Sequence, residues 1–207
     1  DTDRSRGLGD VYKRQICEKS PEQELQTDAG IERARKIEAK MVQPDEDNML
    51  AVCTYMTKVA LDARIIDPEA NEYDGGKVAL CAEKIIEINR ANPGTAQAVF
   101  CDTNTPKKDA FSVYQALRDR LVRSGEFTEN EIAFVHDAAN DKQRLAMFER
   151  VNNAEIKIII GSTGKLGTGV NIQRKLSALH HLDAPYRPSD IEHTERNRGR
   201  PIIRHMR

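Results

Sequence analysis

Between Ile156 and Asn171 the chain reads Ile-Lys-Ile-Ile-Ile-Gly-Ser-Thr-Gly-Lys-Leu-Gly-Thr-Gly-Val-Asn. An apolar run this short, closed by glycines, reads as a buried parallel strand feeding a loop. A parallel strand reaches its neighbour only through a crossover, most often a helix, so this run points to an α/β fold. Gly161, Gly164, Gly167 and Gly169 are expected to supply positive φ or close backbone approach to a ligand. A nest of N–H groups there suits an anion such as a phosphate, and ligands of open α/β sheets gather at the carboxyl ends of strands. The loop is not a Walker A motif: Leu166 follows Lys165 where Ser or Thr is required, and Ile159 stands where the first glycine is required. Taken alone, it reads equally well as a tight turn with no ligand.

The flanking sequence repeats the alternation. Val78, Cys81, Ala82 and Ile85 follow helical spacing, which predicts an amphipathic helix over Lys77–Arg90. Asn92-Pro93-Gly94 is a turn signal, and Ala96–Cys101 reads as a strand ending at Asp102. Phe111, Tyr114, Leu117 and Leu121 share a second helical face, with Gly125 as the stop. A strand at Ile132–Val135 follows, then a short helix capped by Asn140 or Asp141 and running through Phe148. Ile156–Ile160 and Leu176–Leu182 complete the strands, the last ending at Asp183. Ser189-Asp-Ile-Glu192 is a capping box that starts a final helix. The expected fold is α/β, a parallel sheet with helices on both faces and right-handed crossovers.

Upstream, residues 22–41 predict a surface helix whose apolar positions are too sparse for a deep face, broken by Pro44-Asp-Glu-Asp-Asn48. Met49 to Arg64 is apolar-rich, and Asp67-Pro68 ends that segment. Residues 1–15 show no amphipathic period and resemble translated sequencing-adapter text, so the natural chain is expected to begin near Ile16 as a piece of something longer. The expected organisation is therefore 1–15 disordered artefact, 16–76 helical arm and linker, and 77–207 one lobe truncated at its end.

Of the 207 residues, 31% are charged and 39% hydrophobic, a globular composition rather than a disordered one. With a net charge of −1, any nucleic-acid contact must come from a local patch. No apolar run approaches the roughly 20 residues of a membrane span. Cys17, Cys53, Cys81 and Cys101 form no Cys-x-x-Cys pair, which excludes a zinc or thioredoxin-like reading and predicts reduced thiols in a cytoplasmic chain. His180 and His181 lie on opposite faces of one strand and are poor joint metal ligands; no metal site is expected from protein side chains.

Four features stand at successive strand ends. They are Ala98-Val-Phe-Cys-Asp102; Phe134-Val-His-Asp137 with Arg144 and Phe148; the glycine loop; and Leu182-Asp-Ala-Pro-Tyr-Arg-Pro-Ser-Asp-Ile-Glu192 followed by Arg196, Arg198, Arg200, Arg204 and Arg207. In this order, over roughly residues 77–204, they resemble the second RecA-like lobe of a superfamily 2 helicase of Swi/Snf type. Asp47-Asn-Met-Leu50 and Ala60-Leu-Asp-Ala-Arg-Ile-Ile-Asp-Pro68 further resemble the helicase part of large phage- and plasmid-borne proteins that also carry an adenine-N6 DNA methyltransferase.

The resemblance implies an ATP-dependent DNA helicase or translocase, linked to DNA methylation or mobile-element defence, of which this chain supplies one lobe. ATP and Mg²⁺ are then shared with a first RecA-like lobe carrying the Walker A lysine, and the chain alone is not expected to hydrolyse ATP. Ser162 and Thr163 would touch the DNA backbone, with Asp102 and Asn104 ending a strand on the same side. Gly167, Gly169 and Asn171 would lie towards the nucleotide, with Arg196. Arg200 and Arg204 would be the catalytic arginines, Arg204 the finger that stabilises charge on the transferred phosphoryl group. Arg144 and Phe148 would hold a helix on the sheet, and Asp183 would organise the last loop. Backbone contacts carry no sequence information, so sequence-independent binding is expected. The family's Gln-Arg-x-Gly-Arg-x-x-Arg appears here as Glu195-Arg-Asn-Arg-Gly-Arg-Pro-Ile-Ile-Arg204: the Gln is absent and Pro201 lengthens the spacing. That departure keeps open an alternative, a non-catalytic nucleic-acid-binding or interaction module with a degenerate helicase fold. An unrelated doubly wound nucleotide-binding domain is a third reading, against which no Gly-x-Gly-x-x-Gly follows a first strand.

Overall fold

The computed structural model describes residues 16–107, 110–166, 172 and 174–183. Among these residues four strands form one sheet: β1 (Ala96–Phe100), β2 (Ile132–Phe134), β3 (Ile158–Gly161) and β4 (Leu176–His181). Their order is β2-β3-β1-β4 and every pair is parallel, with Gln97 opposite Ile158 and Phe134 opposite Ile160. Among the described residues six α-helices accompany them: α1 (Pro21–Glu38), α2 (Met49–Leu61), α3 (Lys77–Ala91), α4 (Val113–Arg123), α5 (Asp141–Asn152) and the single turn α6 (Thr163–Leu166).

Alternation along the strands builds two cores, one on each face of the sheet. Val99, Ile158 and Ile160 face Cys81, Ile85, Tyr114, Leu117 and Leu121 of α3 and α4. Ala98, Phe100, Ile159 and Leu179 face Phe148 and Val151 of α5, and Leu166 of α6. All five residues of β1 are buried, as a strand covered on both faces requires. The fold is α/β, a parallel sheet with helices on both faces and a helix-rich N-terminal region. The sequence boundaries hold to within a few residues for α3, α4 and all four strands. Gly125 has φ +77° after Ser124 caps α4, as a helix stop requires. The capping box at Ser189 lies outside the described residues.

The arm is two packed helices. Ser20 and Gln23 close a capping box at the start of α1, with Pro21 in the first turn. Gln23 Nε2 then reaches α2 and donates to the carbonyl of Val59 at 2.7 Å. Gly30 lets α1 lie against Met56, whose sulfur stands 2.3 Å from where a Cβ would be. Arg33 makes a two-pronged ion pair with Asp47, both contacts 2.7 Å, and lies over the Tyr55 ring. Leu61 at the end of α2 enters the same core as α3. The linker is tied to α4 through Glu72 and Asp74, which receive Arg120 at 2.9 and 2.7 Å.

The two strand histidines face opposite ways. His181 stacks on Phe100, ring centroids 4.7 Å apart. His180 meets Gln97 Oε1 at 2.8 Å, while Gln97 Nε2 donates to the Ile85 carbonyl at 2.9 Å. With the amide assigned that way, His180 Nε2 carries the proton and donates, and the pair fastens β4 and β1 to α3. Burial, with Lys84 adding to it, pushes the imidazole down to about 4. The native state therefore refuses a proton that the unfolded chain accepts below about 6.5, so stability falls as pH drops from 6.5 towards 4. The full loss from this residue is roughly 3 kcal/mol. Urea melts of the wild-type chain and His180→Gln at pH 7 and pH 4.5 check it: the variant is expected to show the smaller drop.

Candidate nucleic-acid interface

Three adjacent strands, β4, β1 and β3, deliver their carboxyl ends side by side, and a side chain from one grips the next. Asp183, two residues beyond β4, is 6% exposed. Its carboxylate accepts the backbone N–H of Asp102 at 2.8 Å and that of Thr103 at 2.5 Å. Burial raises its pKa, and the N–H bonds from Thr103 and Asp102 oppose that rise. Lys77, at the start of α3, adds a positive field to the same region, and its own pKa is lowered by burial. A buried carboxylate needs such donors to stay charged.

Asp102 in turn reaches β3. Its carboxylate accepts the Thr163 N–H at 2.7 Å and the Thr163 hydroxyl at 2.6 Å. Those two bonds cap the turn α6, whose Lys165 and Leu166 N–H groups close on the Ser162 carbonyl. The end of β1 is held from a third direction by Tyr114, whose hydroxyl donates to the Cys101 carbonyl at 2.6 Å.

The sequence-assigned residues divide into three groups. Asp102, Ser162 and Thr163 come together at this edge. Asn104 lies close in sequence but is engaged with α4: its Oδ1 accepts the Val113 N–H at 2.7 Å and its Nδ2 donates to the Phe111 carbonyl at 3.4 Å. Gly167, Gly169, Asn171, Arg196, Arg200 and Arg204 lie outside the described residues. Phe148 is buried under the sheet, while Arg144 pairs with Asp141 on the surface of α5 at 2.9 Å rather than with the sheet.

Two glycine expectations are corrected. Neither Gly161 nor Gly164 has positive φ. Gly161 is small because the fold is tight there: a Cβ would stand 2.8 Å from Leu166 and 3.2 Å from Val135. Its smallness serves packing within the chain.

Sequence reasoning gave no role to His136, whose ring meets Tyr114 edge-on at 5.5 Å beneath this edge. Burial first, then the Lys165 charge, lowers its pKa and keeps it neutral near pH 7. Lys165 itself is exposed, a cation that suits a polyanion at this edge. Among the described residues no group of three His, Cys, Asp or Glu could hold a metal ion, and no helix is long and apolar enough to cross a membrane.

No protein-family model matches this chain, and no curated protein does. Solved structures do. The Sulfolobus solfataricus SWI2/SNF2 ATPase core in complex with double-stranded DNA superposes with a TM-score of 0.67 at 16% identity, over 95% of this chain and 40% of that one. The C-terminal domain of the Sulfolobus solfataricus SWI2/SNF2 ATPase gives 0.61 at 16% identity, over 95% of this chain and 78% of that one. The fold is that of a SWI2/SNF2 ATPase C-terminal domain. The C-terminal part of the Fun30 ATPase domain agrees, with a TM-score of 0.66 at 11% identity over 94% of this chain and 84% of that one. The arm is included in that likeness, because these matches take in nearly the whole chain. The chain spans only 38% of the Sulfolobus solfataricus SWI2/SNF2 core-domain structure.

Two substitutions test how this edge is built. Asp183→Ala leaves the Asp102 and Thr103 N–H groups without their acceptor and is expected to cost about 2–4 kcal/mol in a urea melt. Gly161→Ala drives Leu166 from its seat and is expected to cost about 1–3 kcal/mol, with the Thr163 amide resonance displaced as α6 moves.

Proposed function

We propose that this chain is the second lobe of an ATP-driven DNA translocase or helicase. In that reading residues 77–207 form the lobe and 16–76 an arm and linker packed against it. The observation that carries it is the row of strand ends: Ser162, Thr163 and Lys165 stand where ligands of parallel α/β sheets gather. They sit in a fold shared with a SWI2/SNF2 ATPase core whose structure contains double-stranded DNA.

The residues divide the work by chemistry. The Thr163 and Ser162 hydroxyls are donors suited to phosphodiester oxygens, and the Lys165 ammonium adds charge without sequence preference. Asp183 is a positioning residue: it fixes the end of β1, from which Asp102 reaches Thr163. Gly167, Gly169, Asn171 and Arg196 would face the nucleotide, and Arg200 and Arg204 would complete its site. ATP with Mg²⁺, held mainly by a first lobe, would bind between the two lobes, and its hydrolysis, transfer of the γ-phosphoryl group to water, would open and close them. A methyltransferase in the same parent protein, and a part in mobile-element defence, belong to this reading.

The irregular arginine spacing around Pro201 favours a second reading, a binding module that has lost catalysis. DNA-stimulated ATPase of the parent protein separates the two. Turnover that rises with DNA, falls about 10³-fold in Arg204→Ala and loses its DNA response in Thr163→Ala supports the motor. DNA binding without turnover supports the module.

A further inference from the structure

Thr163 has two donors to offer a phosphate, and both are already spent. Its N–H and its hydroxyl both go to the carboxylate of Asp102, at 2.7 and 2.6 Å. A carboxylate presents two anionic oxygens to those donors, much as the two non-bridging oxygens of a phosphodiester would. A DNA phosphate arriving at Thr163 therefore meets a like charge and no open donor.

The surroundings make the carboxylate displaceable. Asp102 is exposed, so water can take up its oxygens when they leave. Its backbone cannot follow, because Asp183 holds the N–H groups of Asp102 and Thr103, and Tyr114 holds the carbonyl of Cys101. Release is confined to rotation of one short side chain, and Thr163 stays in place with both donors freed.

We propose that the Asp102 carboxylate is an internal stand-in for a DNA phosphodiester, seated on Thr163 and displaced when the backbone of a nucleic acid binds. The proposal rests on the reading of Thr163 as a phosphate contact. It reverses the part first expected of Asp102, which becomes a competitor that weakens binding rather than a contact that strengthens it. The empty lobe keeps its donors paired, and only a ligand offering a full anionic replacement opens them.

The test uses this chain with a fluorescent DNA duplex of mixed sequence, read by anisotropy at low and near-physiological salt. Asp102→Ala is expected to bind about fivefold more tightly, the size of one like-charge contact in water. Asp102→Asn, which loses the charge and keeps one acceptor, is expected between it and wild type. Thr163→Ala is expected to bind more weakly, and the gain from Asp102→Ala is expected to shrink in the Thr163→Ala background, because the two residues share one interaction. Thermal melts establish that each variant is folded, and Asp102→Asn carries the same cycle if Asp102→Ala does not fold. If Thr163→Ala weakens binding while the Asp102 variants bind as wild type or worse, the exchange is refuted and the phosphate contact stands. A gain that persists undiminished without the Thr163 hydroxyl also refutes it, since only the general field of the carboxylate is then at work. If Thr163→Ala changes nothing, or wild type and variants all fail to bind, the reading of Thr163 falls and the exchange falls with it.

Discussion

The edge of the sheet where the candidate site lies depends on one buried carboxylate. Asp183 takes two backbone N–H groups from the segment that follows β1, and so ties the end of that strand to the end of β4. Ladder bonds set the register inside the sheet, and the last of them run from the Leu182 N–H to the Phe100 carbonyl and from the Cys101 N–H to the Gly161 carbonyl. The carboxylate continues it by one more rung. Its desolvation is opposed in part by charge-assisted hydrogen bonds from the Asp102 and Thr103 N–H groups. Asp102 and Thr163 then form the next rung across to β3. The three strand ends are thus linked side by side as one lip.

Much of the sheet was legible in the sequence because its signals are local. Three consecutive isoleucines at 158–160, closed by a glycine, read as a buried strand, and Val78, Cys81, Ala82 and Ile85 read as one helical stripe. Gly125 after α4 is a stop with a stereochemical reason, borne by its positive φ. The lip was less legible. Asp183 was marked as a polar strand terminus, yet its partners lie some eighty positions away in sequence, and no spacing rule joins Asp183 to Asp102 or Asp102 to Thr163. Gly161 shows the same divide: its smallness was visible, while the reason for it, the Leu166 side chain folding back from α6, belongs to tertiary packing. Asn104 carries a residue type that serves equally as ligand contact or cap, and only the Val113 N–H in front of it decides.

The arm follows different physics from the lobe. α1 buries little besides Gln23 and Gly30, so it is held by specific polar and close-contact devices rather than by area: the bond to the Val59 carbonyl, the Gly30–Met56 approach and the Arg33–Asp47 pair. Paired charges of this kind at a surface are each worth at most about 1 kcal/mol. The lobe draws on two continuous apolar cores instead. The junction between them is apolar, since Leu61 is buried among α3 and α4 residues, so the arm's orientation is tied to the packing of α3.

Strand order also fixes when the sheet can begin to exist during synthesis. β1 lies between β3 and β4, both of which are made after it. A ribosome delivers Ala96–Phe100 and must then add everything as far as Ile158 before the first ladder bond has a partner. At roughly 5–20 residues per second that is several seconds, during which a strand buried along its whole length has no neighbour. β2 emerges in that interval and cannot help, because its place is on the far side of β3. The helices α3 and α4, which flank β1 in sequence, can meanwhile fold against each other, and their shared apolar face is the cover available to β1 until the isoleucine strand arrives.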